Sequence, residues 1–271
     1  MCARKKKAMI YDHDEWLKPY KSVIDRRQKM ILELKERMSV DGSLSKGMNN
    51  HVYYGLHKTA QGEWIFREWA PNATKIYLIG DFNNWRRSEA YALKPIGGGN
   101  WEIVLDDMFL SHGTLYKLFI EWPGGGAERL PAYLTRAVQD PQTKQFCAQV
   151  WDPAQPYEWK HKGPGKRPHP LIYECHIGMA AEEEKVGTFE EFRLNVLPKV
   201  ADLGYDTLQI MALQEHPYYG SFGYQVSNFY ALSSRFGTPE EFKALVDDAH
   251  GLGIAVVMDI VHSHSVDNEA E

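Results

Sequence analysis

Residues 254–264 read IAVVMDIVHSH. The apolar run from Ile254 to Ile260 is broken only by Asp259, and His262 and His264 stand just beyond it. A buried carboxylate must be hydrogen-bonded or paired, so an Asp inside a short apolar strand needs a reason. Bracing of the following loop is one. A binding site is another, because the carboxyl ends of parallel strands and the loops after them line the pockets of α/β folds. His-X-His past a strand also suits a divalent metal, since alternate strand residues point the same way. The stretch alone leaves all three open.

Its surroundings decide the fold. Upstream, GTPEEFKALVDDAHGLG (237–253) carries the marks of a helix: Thr238 as N-cap, Pro239 at the first position, Glu241 closing a capping box and glycines at the end. Before it come a strand, DTLQIMAL (206–213), a helix, FEEFRLNVLPKVADLGY (189–205), with Pro198 bending or interrupting it, and a first strand, LIYECHI (171–177). Strand–helix–strand–helix–strand implies right-handed crossovers and a parallel sheet. The segment QEHPYYGSFGYQVSNFYALSSRFG (214–237) is longer than an ordinary connection and is a functional candidate for that reason.

The front of the chain has a different grammar. Residues 14–38 space Trp16, Tyr20, Val23, Ile24, Met30, Ile31, Leu34 and Met38 near a helical period, with Pro19 placing the most regular part after it. From 51 to 150, EWIFREW, TKIYLIGDF, WEIVLDD and LYKLFIEW are short β segments separated by FNNW, GGGN and PGGG turns. They predict an antiparallel, immunoglobulin-like sandwich. Residues 151–170 are proline-rich and read as a linker or a strap. The expected organisation is 1–50 helical, 51–150 sandwich, 151–170 linker and 171–271 α/β.

Composition bounds the function. With 44% apolar residues, 25% charged residues and a net charge of −5, the chain is globular, and nothing draws it to nucleic acid or an anionic membrane. No apolar run approaches a membrane helix, and no apolar stretch follows the N-terminal lysines to make a secretory leader. Cys2, Cys147 and Cys175 are scattered without metal spacing and fit a reducing, cytoplasmic setting. Aromatic content of 13% suits ordinary packing, and also suits a surface that stacks on sugar rings. Nothing in the sequence sets an oligomeric state.

IYECHIGM (172–179), EHPYYGSFGYQV (215–226) and the Asp259-X4-His264 spacing resemble the early TIM barrel of the α-amylase superfamily, in its eukaryotic-type 1,4-α-glucan branching enzyme family. The resemblance extends forward. EWAPNATKIYLIGDFNNW (68–85) and LYKLFIEW (115–122) are similar to the family's glycogen-binding sandwich, and VWDPAQPYEWKHKGPGKRP (150–168) is similar to its linker.

The resemblance implies a β-sandwich carbohydrate-binding module followed by about three βα units of a TIM (β/α)8 barrel. It implies an α-glucan partner (glycogen, starch or amylose) and neither metal nor organic cofactor. Asp259 and His264 match the superfamily's first shared motif, whose His contacts a hydroxyl of the sugar at the cleavage site. Tyr224 matches the aromatic residue under that ring, with Gln225 and His216 as neighbouring polar candidates; His262 packs behind them. In the sandwich, Trp85 and Lys117 match glucan-holding positions, while Trp101 and Trp122 either join them or belong to the core.

No catalytic residue is expected within these residues. In the family, nucleophile and acid/base come from later barrel strands, so the chain alone is expected to be inactive, with unpaired sheet edges. Three rival readings remain: a non-catalytic glucan binder, a metal hydrolase using His262 and His264, and a hydrolytic or debranching relative.

Overall fold

The computed structural model describes residues 8–266 and divides the chain into two compact units, 1–50 and 51–271. In the first, 3-10 turns at Ile10–Asp12 and Glu15–Tyr20 precede an α-helix, Lys21–Met38. Asp14 caps the second turn, accepting from the Trp16 amide at 2.9 Å. Trp16 and Tyr20 therefore lie on a tighter turn than the helical spacing predicts, with Pro19 inside it. The Tyr11 hydroxyl donates to Asp25 at 2.8 Å and Lys21 pairs with the same carboxylate at 2.6 Å, tying the lead to the helix.

Nine strands open the second unit: β1 Gly55–Lys58, β2 Trp64–Trp69, β3 Lys75–Gly80, β4 Lys94–Gly97, β5 Asn100–Leu105, β6 Leu115–Trp122, β7 Gly125–Arg129, β8 Ala137–Gln139 and β9 Phe146–Gln149. They form two antiparallel sheets, ordered β1-β2-β5-β4 and β3-β6-β9-β8, with β7 hairpinned onto β6. Side chains alternate across each strand. Trp101, Ile103 and Leu105 of β5, and Tyr116 and Leu118 of β6, face a shared core with Phe66, Ile76, Leu78 and Leu134. Glu102 and Lys117 take the opposite faces.

Three further strands, β10 (Ile172–Cys175), β11 (Thr207–Ile210) and β14 (Ala255–Met258), make a parallel sheet in the order β10-β11-β14. Cys175, Ile210 and Met258 sit in register across it. The long segment after β11 contains a small hairpin, β12 (Gln214–Glu215) with β13 (Asn228–Leu232), rather than being loop throughout. The first crossover runs from Phe189–Glu191 through a π-helical turn, Phe192–Val196, into Leu197–Asp202. Pro198 stands at the start of the last piece, where its missing N–H is tolerated, and the turn before it widens. The second crossover is the helix Pro239–Gly251. Its capping box is complete: Thr238 Oγ1 accepts from the Glu241 amide at 3.2 Å, and Glu241 accepts from the Thr238 amide at 2.6 Å. Phe189, Phe192, Leu208, Ile210, Leu245 and Ile254 form the core on the helical side of this sheet.

The sandwich and the parallel sheet share packing. Ala231 of β13 is buried in the sandwich core, and Tyr230 stacks on Tyr133 at 4.7 Å. The buried Arg136 donates to the Gly237 carbonyl at 3.1 Å and lies over Trp151, whose indole N–H donates to Glu240 at 2.6 Å. Residues 152–170 then run as a strap along the helix Pro239–Gly251. Asp247, wholly buried, accepts from the Tyr157 hydroxyl at 2.7 Å and from the amides of Lys160 and His161 at 3.0 and 2.8 Å. Among the described residues, no helix is long and apolar enough to cross a membrane.

Candidate functional site

Asp259 follows β14 directly, its amide donating to the Ile210 carbonyl at 3.0 Å, which carries the parallel pairing one residue past the strand. By strand alternation it shares a face with Gln209 and Glu174, which hydrogen-bond each other at 2.9 Å across β10 and β11. This is the face turned away from the crossover helices. Three polar residues on one face of a parallel sheet, at and near its carboxyl end, are the arrangement that binding sites use.

Tyr224 reaches Asp259 from the long segment. Its hydroxyl donates to Asp259 Oδ2 at 2.8 Å, and this hydrogen bond, with partial burial, pushes the phenol up to about 12. The backbone that presents it is tightly specified. Phe222 and Gly223 both have positive φ, and a Cβ at Gly223 would collide with the Ala212 carbonyl, so only glycine fits there. Gln225, next along, is exposed. The Val266 amide donates to the Val226 carbonyl at 3.0 Å, which brings the His264 segment alongside the Tyr224 loop with the His264 side chain exposed. Tyr224, Gln225, Asp259 and His264 thus share one neighbourhood. His262 stacks on Phe229, centroids 6.2 Å apart and planes 10° from parallel, but both rings are exposed, so it does not pack behind the other residues as expected.

His216 is placed differently. It is fully buried, its Nδ1 against the Gln214 carbonyl at 2.9 Å and its ring 6.2 Å from Phe236, so it touches no surface from which a sugar could be held. Burial also holds it below the usual histidine range. It belongs to the foundation of the loop. Beside it, Glu215 is sealed from solvent and accepts from Ser233 Oγ at 3.0 Å, the Ser234 amide at 2.8 Å and the His216 amide at 3.1 Å. Arg235 donates to the carbonyls of His216 and Pro217 and pairs with Glu215 at 3.5 Å. Sequence reasoning passed over Glu215 and Arg235. The signal was two opposite charges flanking an aromatic-rich segment too long to be a plain connection.

In the sandwich, Trp85 is exposed and has φ +60°, its indole N–H donating to Asp81 at 3.2 Å. Its amide bonds back to the Gly80 carbonyl at the end of β3, one residue beyond the Ile79–Lys117 pair of β3 and β6. Lys117 is buried but keeps its ammonium on Glu128 at 3.1 Å. Trp101 and Trp122 do not join these two. Trp101 is core, its N–H spent on the Ala70 carbonyl at 3.0 Å. Trp122 has the parity of Leu118 on β6, opposite to Lys117, and lies under Arg129 at 5.5 Å. The alternation in WEIVL and LYKLFIEW already contained both assignments. Among the described residues, no group of three or more His, Cys, Asp or Glu side chains is placed to hold a metal.

Residues 53–136 match carbohydrate-binding module 48 (isoamylase N-terminal domain), and residues 194–271 match the α-amylase catalytic domain. The 1,4-alpha-glucan-branching enzyme of Yarrowia lipolytica is 40% identical over 94% of this chain and 38% of its own length. That of Dictyostelium discoideum is 40% identical over 96% of this chain and 39% of its own, and that of Felis catus 36% identical over 97% and 39%. The chain thus spans about two fifths of the length of the curated relatives it matches. In fold it is similar to the pullulanase from Bacillus acidopullulyticus, with a TM-score of 0.65 at 17% identity over 80% of this chain and 30% of that one. The GBS pullulanase SAP gives 0.64 at 21% identity, over 78% and 34%. A sandwich of the module-48 kind, a match to the α-amylase catalytic domain after it, and about 40% identity over nearly its whole length make the chain similar to part of the 1,4-alpha-glucan-branching enzymes.

Proposed function

We propose that this chain is the glucan-gripping portion of an enzyme that makes α-1,6 branches. In that reaction an α-1,4 chain is cut through a covalent glucosyl intermediate, and the freed segment passes to a 6-hydroxyl of the same or another chain. Retaining transfer uses two carboxyl groups about 5–5.5 Å apart, one a nucleophile and one an acid/base. Asp259 is neither of these. With Tyr224 and His264 it forms one wall for the glucose at the cleavage point, with Gln225 at the rim, while Trp85 and Lys117 give the sandwich a separate glucan contact. The observation that carries the proposal is the 2.8 Å bond from Tyr224 to Asp259, which fixes an aromatic ring beside a carboxylate at the end of a parallel sheet. No metal or organic cofactor enters the scheme. A cytoplasmic setting is part of it, supported by the free thiols of Cys147 and Cys175, the latter pushed up to about 12 by burial.

The 271-residue chain alone should bind α-glucan without branching it. Purified chain incubated with amylose is expected to yield no α-1,6 linkages releasable by a debranching enzyme; their appearance would overturn the assignment of roles. In native gels containing glycogen the chain should be retarded, and Trp85→Ala and Tyr224→Ala should each weaken retardation. The exposure of Trp85 also favours a second reading, a glucan binder without catalysis. Retardation abolished by Trp85→Ala and untouched by Tyr224→Ala would select it.

A further inference from the structure

The geometry points to an internal water-binding site beneath the Tyr224 loop, formed by the imidazoles of His176 and His216 and the side-chain oxygen of Gln214. His176 follows β10 and is buried. Its ring is boxed by Tyr219, Phe222 and Phe236, with centroids 5.9, 5.4 and 5.5 Å away and planes 74–89° from its own. Neither of its nitrogens has a hydrogen-bond partner, and His216 Nε2 and Gln214 Oε1 have none either. All three residues are more than nine-tenths buried, and the two histidines share Phe236 as a neighbour.

A neutral imidazole carries one N–H donor and one lone-pair acceptor, and burial holds both rings below the usual histidine range, in that neutral form. Buried polar atoms are rarely left without a partner, and the aromatic box supplies none. Rotating the His176 ring only exchanges one unmet nitrogen for the other. The polar neighbours are already committed. Glu215 is held by Ser233, Ser234, the His216 amide and Arg235, and Arg235 by two carbonyls and Gln139, while the Tyr219 hydroxyl donates to Met179 and bonds neither His176 nitrogen. Water is the one ligand here that both donates and accepts, and a buried water typically makes about three hydrogen bonds. The unmet donors and acceptors of these three side chains suit one or two such molecules. Bound water would fix the His176 tautomer and stiffen the base of the loop. No sugar is needed for this, so the site stands or falls independently of the glucan assignment.

The test uses the unmodified chain. In NMR spectra with nitrogen-labelled histidine, the ring N–H signals of His176 and His216 should be protected from solvent exchange and show cross-relaxation to a long-lived water. A high-resolution crystal structure should show ordered solvent density within hydrogen-bonding distance of His176. Protected ring signals without water cross-relaxation, together with an empty density map at His176, overturn the proposal. His176→Phe is the second probe. Over a hydrated site it removes hydrogen bonds and lowers the thermal midpoint, whereas over a dry one it removes two unmet nitrogens and raises it. If His176→Phe fails to fold, the spectra and density of the parent chain still decide.

Discussion

The sandwich and the parallel sheet solve the same burial problem unequally. In the sandwich two sheets face each other, and Phe66, Ile76, Leu78 and Leu118 are completely out of solvent. In the parallel sheet only the helical side is covered. Val257 at one margin and Ile172 at the other, both on the face away from the helices, are 44% and 46% exposed. Antiparallel strands joined by tight turns can complete a core from neighbouring sequence, whereas parallel strands depend on crossovers and on cover for both faces. The polar candidates Asp259, Gln209 and Glu174 sit on the less covered side. Stability and the proposed site are thus segregated: a closed module holds firm while a half-covered sheet presents its face.

The largest expected effect tests that closure. Leu118→Ala, at the centre of the sandwich, should cost about 2–5 kcal/mol in denaturant unfolding. The truncation Val257→Ala on the exposed face should cost well under about 1 kcal/mol. Equal losses would erase the contrast between the regions.

The seam comes next. Arg136→Met removes hydrogen bonds to the Gly237 carbonyl and Gln149 and the contact with Trp151. It should cost roughly 1.5–3 kcal/mol and split one unfolding transition into two. A single, unshifted transition would show that the regions are not coupled through this residue.

The strap gives a pH test. Burial by itself would raise Asp247, but the Lys160 and His161 amides and the Tyr157 hydroxyl outweigh it and hold the carboxyl at about 2. A depressed carboxyl contributes stability that is complete above its unfolded value near 4 and is lost as pH falls toward 2. Asp247→Asn should flatten that acid limb and speed tryptic cleavage at Lys160, Lys162 and Lys166. An unchanged acid limb and digestion pattern would remove the strap from the account.

The smallest effect is at the candidate site. Tyr224→Phe deletes the bond to Asp259 and should cost about 0.5–1.5 kcal/mol. A phenol raised to about 12 contributes stability present below its unfolded value near 10 and lost between there and 12. The variant should therefore lose less stability than the parent across that window, read as a shallower fall of the thermal midpoint at alkaline pH.

Much of this was legible in the chain itself. The strand–helix alternation from 171 onward and the Thr238–Glu241 capping box are local patterns, and local geometry realises them. So is the inward parity of Trp101 with Ile103 and Leu105, although it has to be followed strand by strand to be seen. His216 shows the limit. Its position in the long segment after β11 makes it a candidate contact residue, yet Phe236, twenty residues on, and the hairpin β12–β13 enclose it.

The sequence by itself determined which segments become strands and helices, and which residues carry polar chemistry among apolar neighbours, because periodicity and capping act within a few residues. Only the tertiary structure decided that Ala231 enters the sandwich core, that Asp247 gathers a strap from almost ninety residues away, and that Tyr224 meets Asp259. Those pairings depend on where crossovers return the chain. Separation along the sequence carries no period from which that return can be read.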